Sequence, residues 1–431
     1  MLSSYFYDFF SIANTSERLI TEYNKIMKTL WTKNFTIITI GTIISAIGAA
    51  AMNLVLSFVV FDETQSTFLS GSFAALSMIP AVILPLISSV WLDRVPRKPV
   101  IVHLDFFAGC LYLSFGFLFQ SIGFHYGAYL LFSLIISAIS SIYQVAYQSL
   151  YPNLIPSGFA QKGYTISGMI YPTVTIIFSP LASLIYTKIG VVPIFYFYAL
   201  LLWAASAFEH FISVEETIKE TKLDFKEFKG DLMDAIRYLR ENKGIRSIYA
   251  TMPFGQGYAE GSQPLLVAYF SNLSSAGMMM YSFFVFFEFI GRTIGGLFQY
   301  RHHFKPENRF RFCYFVYILY AIMDAILLWI GYPWMCLNRT ICGFCGINSA
   351  TLRESSVQNY IPDDKRAKLN ALMNIAYVCS SLFFKLLFGL LGEWIPIPII
   401  LTGGALVEIV VYYLFLYRNK EEVKPIYNQI Y

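Results

Sequence analysis

Charge is what this 431-residue sequence has least of: Asp, Glu, Lys and Arg together make up 13% of it, where a soluble domain carries roughly 25%. A soluble globular chain is thereby excluded, and a hydrophobic share of 56% says the same from the other side. Mean hydropathy is +0.55. Catalytic signatures are missing too. There is no His-Glu-x-x-His, no Gly-x-Ser-x-Gly and no Walker-type phosphate loop, so the chain does not read as an enzyme or as an ATP-driven machine. Six cysteines (110, 313, 336, 342, 345, 379) lie in or beside apolar segments and make no disulfide framework. The lone Cys342-Gly-Phe-Cys345 reads as small packing residues, and the five histidines have no ligand spacing. No cofactor, metal or nucleic-acid partner is expected. Residues 1–30 lack a long apolar core and a small-residue cleavage site, so they are not a secretory signal; they read as a cytoplasmic extension, of which 1–26 are amphipathic or stand outside the functional protein.

What is present is apolar length. Twelve stretches are long enough to cross roughly 30 Å of hydrocarbon at about 1.5 Å per residue. They fall near 34–61, 68–92, 99–122, 126–151, 164–188, 191–213, 246–270, 276–300, 309–331, 333–358, 368–391 and 396–417. Internal prolines (Pro80, Pro85, Pro172, Pro180, Pro264) predict bends and helix contacts within spans. A polar interruption at 214–245 divides the chain into halves of six spans, 31–213 and 246–418, with a tail at 419–431. Within it Phe225, Phe228, Leu232, Ala235, Ile236 and Leu239 recur at three- and four-residue steps, which predicts an amphipathic helix along the membrane face. The expected fold is an all-α membrane protein of twelve transmembrane helices in two six-helix bundles.

The cations orient it. Of 31 Lys and Arg, 26 fall in the loops and flanks on one side, only Lys188 on the other, and Arg292, Arg339, Arg353 and Lys385 within or at the ends of spans. By the positive-inside rule both termini are cytoplasmic.

Between spans 2 and 3 lies a polar island, Ser89-Val-Trp-Leu-Asp-Arg-Val-Pro-Arg-Lys-Pro99, in which Pro96 and Pro99 stop a helix from running through. It resembles the loop motif Gly-x-x-x-Asp-Arg-x-Gly-Arg-Lys of the major facilitator superfamily. Asp93, Arg94, Arg97 and Lys98 match, while Ser89 and Pro96 stand where the family has Gly. In the second half Gly291-Arg-Thr-Ile-Gly295-Gly296 occupies the corresponding place. Three further stretches resemble the macrolide-efflux and enterobactin-exporter type subfamily: Tyr147 to Pro156, Phe228 to Gly244, and Arg353 to Arg366 with its Ile361-Pro-Asp-Asp. Phe178-Ser179-Pro180 resembles the Gly-Pro motif of exporters in the superfamily, with Ser for the first Gly, and implies a bend where a helix pivots. The family's basic residue in span 4 is missing, since 126–151 holds no Lys or Arg. The chain departs there from the pattern on which the family's usual proton relay rests.

Charge inside hydrocarbon costs at least roughly 2.5–3.5 kcal/mol per group, so it faces protein or water. Glu260, Glu288, Arg292, Asp324, Arg339, Lys385 and Glu408 are such groups, almost all in the second half; the first half offers mainly Asp105. Glu288 and Arg292, four apart, predict an ion pair on one helix. Lys385 is expected to pair with Glu408 on the next span. In the resembled fold spans 1, 4, 7 and 10 line the central cavity, which implies Asn53, Gln144, Gln148, Gln263, Arg339 and Asn348 as substrate contacts. Tyr143, Tyr147, Tyr171 and Tyr258 are further lining candidates. Glu260, in the run Gly255-Gln-Gly-Tyr-Ala-Glu-Gly, is the first proton-coupling candidate and Asp324 the second. The expected activity is proton-coupled efflux of an amphiphilic small molecule by alternating access, carried out by a monomer in the plasma membrane bilayer. The loop at 89–99 would hold the outward-open state through Asp93. Uptake or uniport by the same fold is the alternative, and a membrane sensor the third reading.

Overall fold

The structure, a computed structural model, describes residues 30–429 apart from 93–94, 157–158, 215, 217–224, 275 and 302–303. The extension expected over 1–30 therefore lies, but for Leu30, outside the described residues, as do Asp93 and Arg94 of the loop motif. The described chain is helical, with no strand. The first half contains α1 (Lys33–Thr64), α2 (Thr67–Leu76), α3 (Ile79–Leu92), α4 (Arg97–Ile122), α5 (Tyr126–Leu154), α6 (Ala160–Ile189) and α7 (Val192–His210). After α8 (Phe225–Glu241) the second half contains α9 (Lys243–Leu273), α10 (Gly277–Arg301), α11 (Arg309–Ile326), α12 (Tyr332–Tyr360), α13 (Asp363–Leu391) and α14 (Ile397–Tyr412), followed by α15 (Lys420–Tyr427).

Local chemistry explains the boundaries. Thr32 and Ser66 cap α1 and α2 by accepting from the N–H of Phe35 and Leu69. The second span is broken into α2 and α3 because Pro80 has no N–H for the carbonyl of Leu76. Gly123 and Gly190, at φ +74° and +82°, end α4 and α6 in a conformation that favours glycine. Among the described residues ten helical segments are long and apolar enough to cross a membrane by themselves. The two remaining long helices, α9 and α12, carry Glu260, Gln263, Asn338, Arg339 and Asn348; of these Asn338, Arg339 and Asn348 are buried against neighbouring helices, Glu260 is half-buried and Gln263 is exposed.

Both halves pack by the same scheme. In each, the first span lies against the fifth and the sixth, the second against the fourth, and the third against the sixth. Small residues set the closeness. A Cβ on Gly291 would stand 2.0 Å from the Thr340 carbonyl oxygen, and one on Gly343 2.0 Å from that of Glu288, so α10 and α12 meet backbone to backbone. The halves meet through crossed pairs, α2 with α13 and α6 with α10, and through α1 with α9.

α8 rests on α9 and α13 of the second bundle. The Lys368 ammonium, 3.3 Å from Asp234, holds that carboxyl below its ordinary range. The end of the molecule carrying α8 and α15 is called the linker end. At the opposite, far end one apolar core spans both bundles, with Val55, Phe58 and Phe195 packed in the same cluster as Val267, Ala268 and Met278. Toward the linker end the cores are separate: Phe35, Ile101 and Tyr151 in one bundle, Ile248, Leu352 and Leu369 in the other. Hydrogen bonds join the bundles at the far end: Thr67 to the Gly389 carbonyl at 2.9 Å, Ser66 and the Phe68 N–H to Glu393 at 2.6 and 2.7 Å, and Ser271 to Asp62. The molecule is clasped at the far end.

Candidate functional site

Within the first bundle a cavity of about 420 Å³ opens between α1, α4, α5, α6 and α7. Ser45, Asn53, Asp105, Tyr143, Gln144 and Tyr171 supply its polar wall, and Ala49, Leu56, Ile136 and Leu202 part of its apolar one. A second cavity, about 520 Å³, lies at the far end where Asp62 accepts from Tyr186 at 2.9 Å and from Ser271 of the other bundle.

The first cavity has an acidic floor. Asp105, 6% exposed, accepts from the Ser45 hydroxyl at 3.3 Å. One turn along α1, Gly41 faces Glu209: a Cβ there would stand 3.2 Å from Glu209 Cγ. Glu209 is fully buried; its Oε1 accepts from the Tyr143 hydroxyl at 2.8 Å and its Oε2 has no partner. Tyr143 joins the two, since it lines the cavity beside Asp105. Sequence reasoning found Asp105 but passed over Glu209, which sits beside His210 at the end of a span and reads as an interfacial residue. The signal was available in the sixth span of each half: Glu209 in one and Glu408 in the other.

The second bundle handles charge differently. Arg339 is buried and ion-paired with Asp324, donates to Asn338 Oδ1 at 3.0 Å, and lies over the rings of Phe284 and Tyr320 at 5.6 and 5.7 Å. Arg292 donates to Glu288 Oε1 at 2.9 Å, one turn back on α10. Lys385 pairs with Glu260 at 2.9 Å, which corrects the expected Lys385–Glu408 pair. The reason is topological: α13 packs along α9, which carries Glu260, and far less on the consecutive α14, which it reaches through Phe388 at Gly404. Glu408 instead accepts from Tyr412 in its own helix and faces Gly255. Lys385 Nζ also lies 3.0 Å from Met78 Sδ, so the Glu260–Lys385 pair sits where α9, α13 and the first bundle meet.

The remaining candidates are dispersed. Asn53 and Gln144 line the 420 Å³ cavity; Gln148 and Gln263 are exposed on α5 and α9 and do not line it. The Tyr147 hydroxyl is taken up 3.3 Å from Thr42 and 3.5 Å from Ser167, and Tyr258 donates to the Leu401 carbonyl. Asn348 is buried and donates to the Gly295 and Phe344 carbonyls at 3.2 and 2.7 Å, stitching α12 to α10. Ser179 and Pro180 lie half-buried inside α6, which packs on both α1 and α10. In the loop motif, the N–H groups of Arg97 and Lys98 donate to the carboxylate of Glu216 at 2.6 and 2.9 Å, and the Arg97 guanidinium is 4.0 Å from it. An anion thus caps the positive end of α4.

Comparisons agree with this architecture. The family model described as Major Facilitator Superfamily matches residues 38–330. No curated protein matches the sequence. Among solved structures, a peptide transporter POT in complex with sulfate superposes with a TM-score of 0.67 at 11% identity, covering 92% of this chain and 97% of that one. The nucleoside transporter NupG gives 0.60 at 14% identity over 90% and 99%. A bacterial homologue of the human lysosomal transporter Spinster, inward-facing and unoccupied, gives 0.58 at 12% over 93% and 97%.

Proposed function

The chain belongs to the major facilitator superfamily, whose members are membrane transporters, and on that premise we propose that it is a proton-coupled exporter of an amphiphilic small molecule. The excess of cations on the linker side supports placing that side, with both termini, in the cytoplasm. With the far end clasped and the cores separate at the linker end, the conformation is then the inward-open one of an alternating-access cycle. On this reading the loop from Ser89 to Pro99 holds the opposite, outward-open state through Asp93, whereas in the present state Arg97 and Lys98 are engaged by Glu216.

The observation that carries the coupling is the Glu260–Lys385 pair at the meeting point of the bundles. Protonation of Glu260 removes the counter-charge of Lys385, which then has a reason to leave the seam beside Met78. Asp324, locked to Arg339, is the reserve site. Pro180 in α6 is where the first bundle bends as it rocks.

A growth-inhibition panel on cells lacking and overproducing the protein identifies a transported solute. In proteoliposomes an imposed proton gradient then drives accumulation of that solute, with the direction separating export from uptake. The variant Glu260→Gln loses gradient-driven accumulation but retains exchange of the solute down its own gradient. Gradient-driven accumulation at the wild-type rate in that variant overturns the role of Glu260.

A further inference from the structure

Among the described residues the first bundle buries two carboxyl groups, Asp105 and Glu209, with no base in contact with either. Asp105 forms part of the wall of the 420 Å³ cavity, and Glu209 stands behind it with an oxygen that has no partner. Neither has an ion-pair partner among the described residues, and no Lys, Arg or His lines the cavity. In the second bundle Glu260, Glu288 and Asp324 each have a base in contact. An acid cluster in a low-dielectric wall raises a negative potential that is focused into the space it borders. That potential excludes anions and leaves a neutral solute unable to satisfy it.

Two classes of cation remain. A small hard metal ion draws on several carboxylate and carbonyl oxygens, whereas the cavity offers Asp105 as its one carboxylate, the amides of Asn53 and Gln144, and the hydroxyls of Ser45, Ser77, Ser133, Ser137 and Ser140, beside the rings of Tyr112, Tyr143, Tyr171 and Tyr198. Aromatic faces around a single carboxylate are the recognition chemistry of an organic ammonium or phosphonium ion, whose charge is spread over an apolar body. The volume lies within the range of small-molecule sites, roughly 300–1,000 Å³.

We propose that the cavity of the first bundle is a binding subsite for an organic cation, with Asp105 as its counter-ion, the tyrosine rings as its walls, and Glu209 as a positioning group that holds Tyr143. The proposal names the substrate class of the transporter reading above and rests on it. Binding, however, is measured with no gradient and no transport. Failure of coupling in liposomes leaves the binding result intact, and failure of binding leaves export of a neutral solute intact.

The test is equilibrium dialysis of the purified full-length chain against tetraphenylphosphonium and against tetraphenylborate, which share shape and differ in the sign of charge. The unmodified protein binds the phosphonium and prefers it over the borate by at least about tenfold, the least that one desolvated charge contact contributes. Asp105→Asn weakens phosphonium binding by a similar factor, and Asp105→Glu restores most of it. Tyr143→Phe weakens it less. Equal binding of the two probes by the unmodified protein overturns the proposal, as does an unchanged phosphonium affinity in Asp105→Asn. The charge comparison on the unmodified protein decides the matter even where the variant fails to insert.

Discussion

The two bundles share a packing scheme and differ in how they neutralise charge. Each buries a carboxyl from its sixth span against a glycine of its first: Glu209 on Gly41, Glu408 on Gly255. In each, one oxygen accepts from a tyrosine hydroxyl, Tyr143 or Tyr412, and the other has no partner. Beyond that common feature they diverge. The second bundle adds three acid–base pairs, whereas among the described residues the first adds the buried Asp105, with no base in contact, and opens a cavity beside it. A bundle that pairs three of its acids with bases of its own is built to respond when one partner is removed. An acidic bundle is built to receive a partner from outside. Under the function and subsite proposed above, that difference would separate a coupling half from a binding half on one repeated scaffold.

The sharpest way to break this comparison is to neutralise one acid in each bundle. Asp324→Asn strands the buried Arg339, and breaking such a pair costs about 3–5 kcal/mol. Glu209→Gln strands no cation and keeps an acceptor for Tyr143, so its cost is about 1 kcal/mol or less. Thermal unfolding of the purified variants is expected to show a large drop for the first and a small one for the second. Equal drops would mean that Glu209 has a cationic partner and that the bundles are alike.

A smaller contrast comes from glycines. Gly291→Ala places a methyl 2.0 Å from a backbone carbonyl of α12, so two helices have to separate, at about 1–3 kcal/mol. Gly41→Ala meets only the Glu209 side chain, at 3.2 Å, which yields by a few tenths of an ångström. The expected loss of thermal stability is therefore greater for Gly291→Ala. Its functional trace is the reverse, because Gly41→Ala pushes Glu209 toward Tyr143 and the cavity. Phosphonium binding should change in Gly41→Ala and stay as it was in Gly291→Ala.

Much of the fold could be read before any coordinates existed, because spans are set by apolar length and orientation by where cations sit. Even the break in the second span follows from Pro80. Pairing was not legible in the same way. Lys385 was assigned to Glu408 on the assumption that consecutive spans touch, yet the fifth span of each half lies against the first. Contact order in a bundle is a property of the packing scheme, and a sequence with weak internal repetition does not announce that scheme. Glu209 escaped for a related reason. Its burial comes from a missing side chain at Gly41, 168 positions away, and not from its own neighbourhood.

The smallest expected effect lies where the bundles meet. Glu393, in the turn after α13, accepts from the Phe68 N–H and from Ser66 and Thr67 of the first bundle. Partial burial works to raise its carboxyl, but those hydrogen bonds outweigh it and hold the group below the ordinary glutamate range. A depressed value means that the clasp favours the ionised form. Its contribution to far-end closure is complete at neutral pH, begins to decline as pH falls past the ordinary glutamate value of about 4.3, and is gone once pH has fallen through the lowered one. Glu393→Gln removes it at every pH. Because the site is exposed, the expected shift is about 1 kcal/mol, a few-fold more of the form open at the far end. Labelling of a cysteine introduced at Ser271 measures that opening: faster at neutral pH in Glu393→Gln than in the parent, with the two rates converging in strong acid. Identical rates at neutral pH would place the clasp elsewhere, on the α2–α13 backbone contact at Gly71 and Gly389, where a Cβ on Gly71 would stand 2.4 Å from the Lys385 carbonyl oxygen.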